Sequence, residues 1–170
     1  MALTLISSVT TGSGATSTIE FASIPQTYTD LVLRISARSN RTTAAYGTMT
    51  IQFNSSSSNF SYRHLMGYTS GVNSTNDSSF NFAVMASTDY QTASTFGNAD
   101  IYIPNYTSSN NKSFSSDYVN ENNSGASEAA IMGLVAQLWS NSAAITNIKL
   151  GLDGGFTFKQ YSTAYLYGIE

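Results

Sequence analysis

The chemistry open to this chain is bounded by one histidine and the absence of cysteine. His64 stands in Tyr62-Arg63-His64-Leu65-Met66, and a hydrolytic triad would require it beside a nucleophile and a carboxylate. Twenty-eight serines make some Ser–His approach unsurprising, yet no Gly-x-Ser-x-Gly turn singles one out. His64 is therefore read as a strand histidine that bonds locally. The acids are scattered singly, among them Asp30, Asp77, Asp89, Asp100, Asp117, Glu121, Glu128 and Asp153. None sits in a D-x-D-x-D-G calcium loop, and a lone histidine without thiolates is a poor metal site. A carboxylate pair brought together across strands, as glycosidases use, would be invisible in the sequence. Acids this sparse read better as strand ends and partners of the few arginines. No catalytic, cofactor or metal residue is assigned, and the chain is expected to be non-enzymatic.

Binding is the remaining chemistry. Arg34, Arg38 and Arg41 are the one concentration of positive charge. Arg34 and Arg38 share the outer face of a strand, about 13 Å apart at the usual rise. They fit either a solvated sheet face or an ion pair between subunits, where arginine is enriched. Tyr102 and Tyr106 flank Pro104, Tyr161, Tyr165 and Tyr167 crowd the last strand, and Trp139 is the single tryptophan. Such rings present large area with a polar tip, which suits interfaces and sugar platforms alike. Arg34, Arg38, Arg41, Tyr102, Tyr106 and Trp139 are thus the candidate interface residues.

The elements that must position them are strands. Leu31, Leu33, Ile35 and Ala37 alternate with Val32, Arg34, Ser36 and Arg38, and Met49, Ile51 and Phe53 alternate with Thr48, Thr50 and Gln52. Further strands are expected near Leu3–Val9, Thr18–Ala22, Ser61–Tyr68, Phe80–Met85, Phe96–Ile103, Ser113–Val119, Ile145–Leu152 and Thr163–Ile169. Ser127–Trp139 has helix-forming composition, but Gly133 at its middle costs a helix about 1 kcal/mol. Its alternation of Met132, Leu134, Ala136 and Leu138 favours a long strand. Asn54–Asn59 and Ser70–Ser79 read as polar loops, and Asp153-Gly154-Gly155 as a hairpin turn. Short strands throughout 170 residues point to a single all-β domain, an antiparallel sandwich of about ten strands with jelly-roll winding.

Composition removes whole classes of partner. Only 10% of residues are charged, where about 25% is typical, and Ser, Thr and Asn fill the gap. A net charge of −3 with three lysines offers no electrostatic footprint for nucleic acid. No run approaches the roughly 18 apolar residues of a membrane span. Met1-Ala2-Leu3-Thr4 opens without the basic and apolar regions of a secretory signal. Eight Asn-x-Ser/Thr triplets, at Asn40, Asn54, Asn59, Asn73, Asn76, Asn105, Asn111 and Asn122, follow from loops rich in Asn and Ser rather than from glycosylation.

Ser23-Ile24-Pro25-Gln26-Thr27-Tyr28-Thr29-Asp30-Leu31, running on through Leu33-Arg34-Ile35-Ser36-Ala37-Arg38, resembles small β-rich virion proteins of tailed bacteriophages, particularly marine ones. The likeness continues at Ile101-Tyr102-Ile103-Pro104-Asn105-Tyr106, Asn111-Lys112-Ser113-Phe114, Leu138-Trp139-Ser140-Asn141 and Leu166-Tyr167-Gly168-Ile169. Members of that group decorate heads or associate with tails. The resemblance implies synthesis in the bacterial cytoplasm, localisation to the virion, and a decoration or cement role on the outer head surface. The implied partners are the major capsid protein and symmetry-related copies, expected as trimers at threefold positions. One end of the sandwich would carry the contact while the polar loops face solvent. The alternative is a tail or fibre module that binds host glycans through Trp139 or loop tyrosines.

Overall fold

Alternation along the chain is realised as twelve strands in the computed structural model, which describes residues 2–68, 71–121 and 130–170. Ser70, the first residues of the Ser127–Trp139 stretch, the Asn122 triplet and Glu128 lie outside the described residues. The strands are β1 (Leu3–Thr10), β2 (Thr18–Phe21), β3 (Asp30–Ser39), β4 (Gly47–Phe53), β5 (Phe60–Tyr68) and β6 (Gly71–Asp77). They continue as β7 (Phe82–Thr88), β8 (Gly97–Ile103), β9 (Lys112–Asn120), β10 (Ile131–Trp139), β11 (Ile148–Leu152) and β12 (Thr163–Ile169).

Their pairing is nested. β1 pairs with β12, β2 with β11, β3 with β8 and β4 with β7, all antiparallel. A long hairpin rolled up in this way is a jelly roll, with four strands in each of two sheets, β1-β12-β3-β8 and β2-β11-β4-β7. Two hairpins are inserted into it. β5–β6 interrupts β4 and β7, while β9–β10 interrupts β8 and β11. Both insertions join the same sheet, because β9 pairs with β8, β10 with β9 and β5 with β10. One layer therefore has eight strands, β1-β12-β3-β8-β9-β10-β5-β6, and the other has four. Arg38–Ser39 and Ser87–Thr88 join the layers by a short parallel contact.

The core lies between them. Leu31, Leu33, Ile35 and Ala37 of β3 and Met49, Ile51 and Phe53 of β4 are all buried, as the alternation requires. Phe53 is the hub where the layers meet. Its ring lies 5.5 Å from Phe60, 5.2 Å from Phe114 and 5.4 Å from Trp139. Such pairs contribute roughly 0.5–1.5 kcal/mol each beyond their burial. β12 is an interior strand next to the sheet edge, held by β1 on one side and β3 on the other.

Three local expectations are corrected. Gly71–Asp77, read as loop, is strand β6, paired with β5 from Tyr62↔Asp77 to Tyr68↔Gly71. Its residues are exposed on both faces, so no buried side imprints a period of two on its sequence. Asp153–Gly155 is a single 3₁₀ turn with Gly154 at φ 76°, not a hairpin. The chain leaves it to cross the layers, where Phe158 bridges Thr16 and Ser39. β11 starts at Ile148 rather than Ile145 because Asn54 Oδ1 accepts bonds from Thr146 N, Thr146 Oγ1 and Asn147 N.

Gly133 has its explanation on the inner face of β10. A Cβ there would stand 2.5 Å from the Tyr118 ring, which folds over the glycine to reach His64 Nε2 at 2.7 Å. His64 is buried against Phe82 and Tyr118, and burial pulls its pKa below the ordinary value. The folded imidazole therefore takes up its proton at lower pH than the unfolded chain, which does so near the ordinary value of about 6.5. The stability that comes from a neutral His64 is present above that value and is lost as pH falls toward the lower folded pKa.

Gly133→Val is expected to cost about 1–3 kcal/mol by overpacking, read as a lowered urea midpoint; an unchanged midpoint would show that the Tyr118 ring yields freely. His64→Gln keeps a partner for Tyr118 but cannot titrate in this range. Its melting temperature should fall less between about pH 7 and 5 than that of the native chain. Equal slopes would dissociate the acid sensitivity from His64.

Candidate interaction surface

The outer face of the eight-stranded sheet can be read from the strand registers as transverse rows. One row runs Thr10, Thr163, Ser36, Asn98, Val119, Met132, Gly67, Val72. The next runs Ser8, Tyr165, Arg34, Asp100, Asp117, Leu134, Leu65, Ser74. A third runs Leu5, Tyr167, Val32, Tyr102, Ser115, Ala136, Arg63, Asn76. The face divides into two halves, polar and aromatic over β12, β3 and β8, and apolar over β9, β10, β5 and β6.

In the polar half the charges are already engaged. Arg34 Nε lies 3.5 Å from Asp100 Oδ2, with the Arg34 guanidinium 5.9 Å from the Tyr167 ring centre. Tyr167 in turn stacks on Tyr165 at 6.4 Å. Asp100 and Asp117 face each other directly on β8 and β9, an arrangement that like charges disfavour. Burial raises the Asp100 pKa, and the Asp117 charge pushes the same way while Arg34 opposes it. Tyr102 donates to Asp30 Oδ2 at 2.6 Å, and Asp30 Oδ1 accepts the Asn105 amide at 2.8 Å. That bond raises the Tyr102 pKa.

The apolar half is uncovered. Val72 is 73% exposed, Leu134 63%, Met132 62%, Leu65 50% and Val119 38%. Leu134 is directly opposite Leu65, and Met132 is directly opposite Val119 and Gly67. Single exposed apolar residues are ordinary, but five in neighbouring positions across four strands form a patch that makes this face the candidate interaction surface. Arg63 and Asp117 flank them with one charge of each sign. No family model matches the chain, and neither a curated protein nor a solved structure does.

The six residues expected at an interface do not gather here. Arg34 and Tyr102 do lie on the outer face, in its polar half. Trp139 and Tyr106 are fully buried, which corrects their assignment to the surface: Trp139 packs on Phe53 and Phe60, and the Tyr106 hydroxyl donates to the Pro25 carbonyl. Arg41 is half-buried, its guanidinium 5.4 Å from the Phe156 ring centre and its Nη1 bonded to the Tyr46 carbonyl at 3.3 Å. Arg38 is the clearest correction. It has the outward parity of Arg34, yet residues 89–95 close over it and leave it 5% exposed. Its guanidinium donates to Asp89 Oδ1 at 3.0 Å and to the carbonyls of Thr92, Thr95 and Gln91 at 2.9, 2.7 and 3.2 Å. Partial burial pushes the Asp89 pKa up, but hydrogen bonds from Lys159 and Arg38 outweigh it and hold the carboxyl below its usual range. Arg38 is an internal clamp, buried and with four of its five N–H groups engaged inside the chain.

The apolar set was missed because β10 is apolar on both faces. Met132, Leu134, Ala136 and Leu138 share a face in sequence, but so do Ile131, Val135 and Trp139, and the latter are the buried set. Sequence parity could have narrowed the surface to one of these two faces.

The two arginines separate the interior role from the surface one. Arg38→Leu takes one of two cationic partners from Asp89, which keeps Lys159 at 2.9 Å, and removes the guanidinium donor from three carbonyls. It should cost about 1–3 kcal/mol. Arg34→Leu breaks an exposed pair and should cost less than about 1 kcal/mol. Denaturant titration distinguishes them, and equal midpoints would contradict the clamp.

Proposed function

We propose that the chain is a non-enzymatic structural subunit of a tailed-phage virion, docked on the outer head surface as a decoration or cement protein. The observation that carries this reading is the open apolar half of the eight-stranded sheet. A rigid sheet face of Leu65, Val72, Val119, Met132 and Leu134 gives broad, water-excluding contact with little ordering cost on binding. Beside Arg63 and Asp117 its surroundings are Ser and Asn, which are cheaper to desolvate than a wholly ionic rim. The contact surface is thus a sheet face, not the end of the sandwich. A subunit that binds only the assembled shell stabilises it by mass action, and the major capsid protein is the partner this reading requires.

Glycan adhesion loses Trp139, which is inside the core, and would rest on exposed loop tyrosines such as Tyr90 and Tyr161. The jelly roll is compatible with both roles, because lectins and capsid proteins share it, and fold alone does not choose.

Purified shells of the major capsid protein, mixed with the native chain, should retain it on sedimentation and withstand a higher temperature before releasing their contents. Leu134→Glu with Met132→Glu places two charges on the docking face without touching the core, and should abolish both effects while melting like the native chain. Shells that fail to bind the native chain, or bind the double variant equally well, would remove the reading.

A further inference from the structure

Edge strands expose unpaired backbone groups, and proteins blunt them by bulges, shortness, charge or cover. Three of the four sheet ends in this fold are treated in one of these ways. β1 has a register irregularity between Leu5 and Ser7. β2 is four residues long and carries Glu20, paired with Lys149 at 3.4 Å. β7 is buried throughout and meets β3 at Ser87 and Thr88. Among the described residues β6 is the least protected edge, since its one charge, Asp77, sits at the strand end and is engaged by Ser79. It is seven residues long, regular in its register with β5, free of proline, lysine and arginine, and exposed from Gly71 to Asn76. No strand among the described residues pairs with its other side.

We propose that β6 pairs antiparallel with β6 of a second copy, joining two eight-stranded sheets across a twofold axis at Ser74. The occupant is a second copy because the edge is complementary to itself. In the register centred on Ser74, Val72 stands opposite Asn76 and Gly71 opposite Asp77, so the one charge on the strand meets no like charge. Asp77 is further occupied locally, its Oδ1 accepting the Ser79 amide at 2.7 Å and the Ser79 hydroxyl at 2.9 Å. The row Leu134–Leu65–Ser74 then continues into Ser74–Leu65–Leu134 of the second copy, and both apolar halves face the same way. An isologous contact of this kind closes at two copies rather than three. The pairing rests on the edge alone, and it stands whether or not the apolar rows meet a capsid. Where they do, the pair docks with two faces at once and gains avidity.

Light scattering on a sizing column tests the pairing in the full chain. The mass should approach twice the 18.2 kDa of one chain as concentration rises. Ser74→Lys sets two ammonium groups against each other at the axis and should return the monomer at every concentration, with an unchanged melting temperature. The chain contains no cysteine, so single-cysteine variants report the register cleanly. Ser74→Cys should form a disulfide-linked dimer under mild oxidation. Asn76→Cys should not, because its two copies lie about 13 Å apart along the paired strands. A chain that stays monomeric overturns the proposal. So does a dimer that survives Ser74→Lys, or one in which both cysteines link equally.

Discussion

A sheet of eight strands faced by a sheet of four cannot hide both of its surfaces. At about 4.8 Å per strand the larger layer is roughly twice as wide as the smaller. Its outer face meets water along its whole width, and its flanks overhang the second layer. That mismatch arises from where two hairpins are inserted. β5–β6 and β9–β10 could have widened either layer of the jelly roll, but both extend the same one. β10 then becomes an interior strand between β9 and β5, supplied with apolar residues for two sides and given cover on only one.

The inner side of that extension is anchored by polar as well as apolar contacts. Ser116 Oγ and Gln137 Nε2 reach the Ala83 carbonyl on β7 at 2.8 and 3.2 Å, and His64 meets Tyr118 above Gly133. Directional bonds of this kind favour one arrangement of the layers, where apolar packing alone would tolerate several. The extension is thereby held rigid, and the outer apolar rows are presented on a fixed surface rather than on a loop. A preformed face of this kind has little left to lose in conformational entropy when it is covered.

Much of the fold was legible because burial on one side writes a period of two into the sequence. Leu31 to Ala37 and Met49 to Phe53 display it, and the structure buries those residues. β6 left no such mark, since both of its faces meet solvent. The candidate surface was less legible for the converse reason: β10 carries apolar residues on both parities. Composition also misled at single residues. Arg38, Tyr106 and Trp139 have the types that populate interfaces, yet all three are buried. For Arg38 the cause is a contact 51 residues away in sequence, with Asp89, which no local pattern records. The scarcity of charge had a plainer meaning than any single residue. Outer strand positions carry Ser, Thr and Asn beside the apolar rows, and such a border is cheap to desolvate.

Methionine oxidation tests the central claim, that the outer apolar rows are the surface this chain uses. Met132 is 62% exposed on those rows, while Met49 is wholly buried in the core and serves as the internal reference. In the free chain, dilute peroxide should oxidise Met132 rapidly and leave Met49 intact, read by peptide mass spectrometry. On capsid shells, Met132 should become protected to a degree approaching Met49. Oxidation of Met132 at the same rate in free and shell-bound chain would contradict the account.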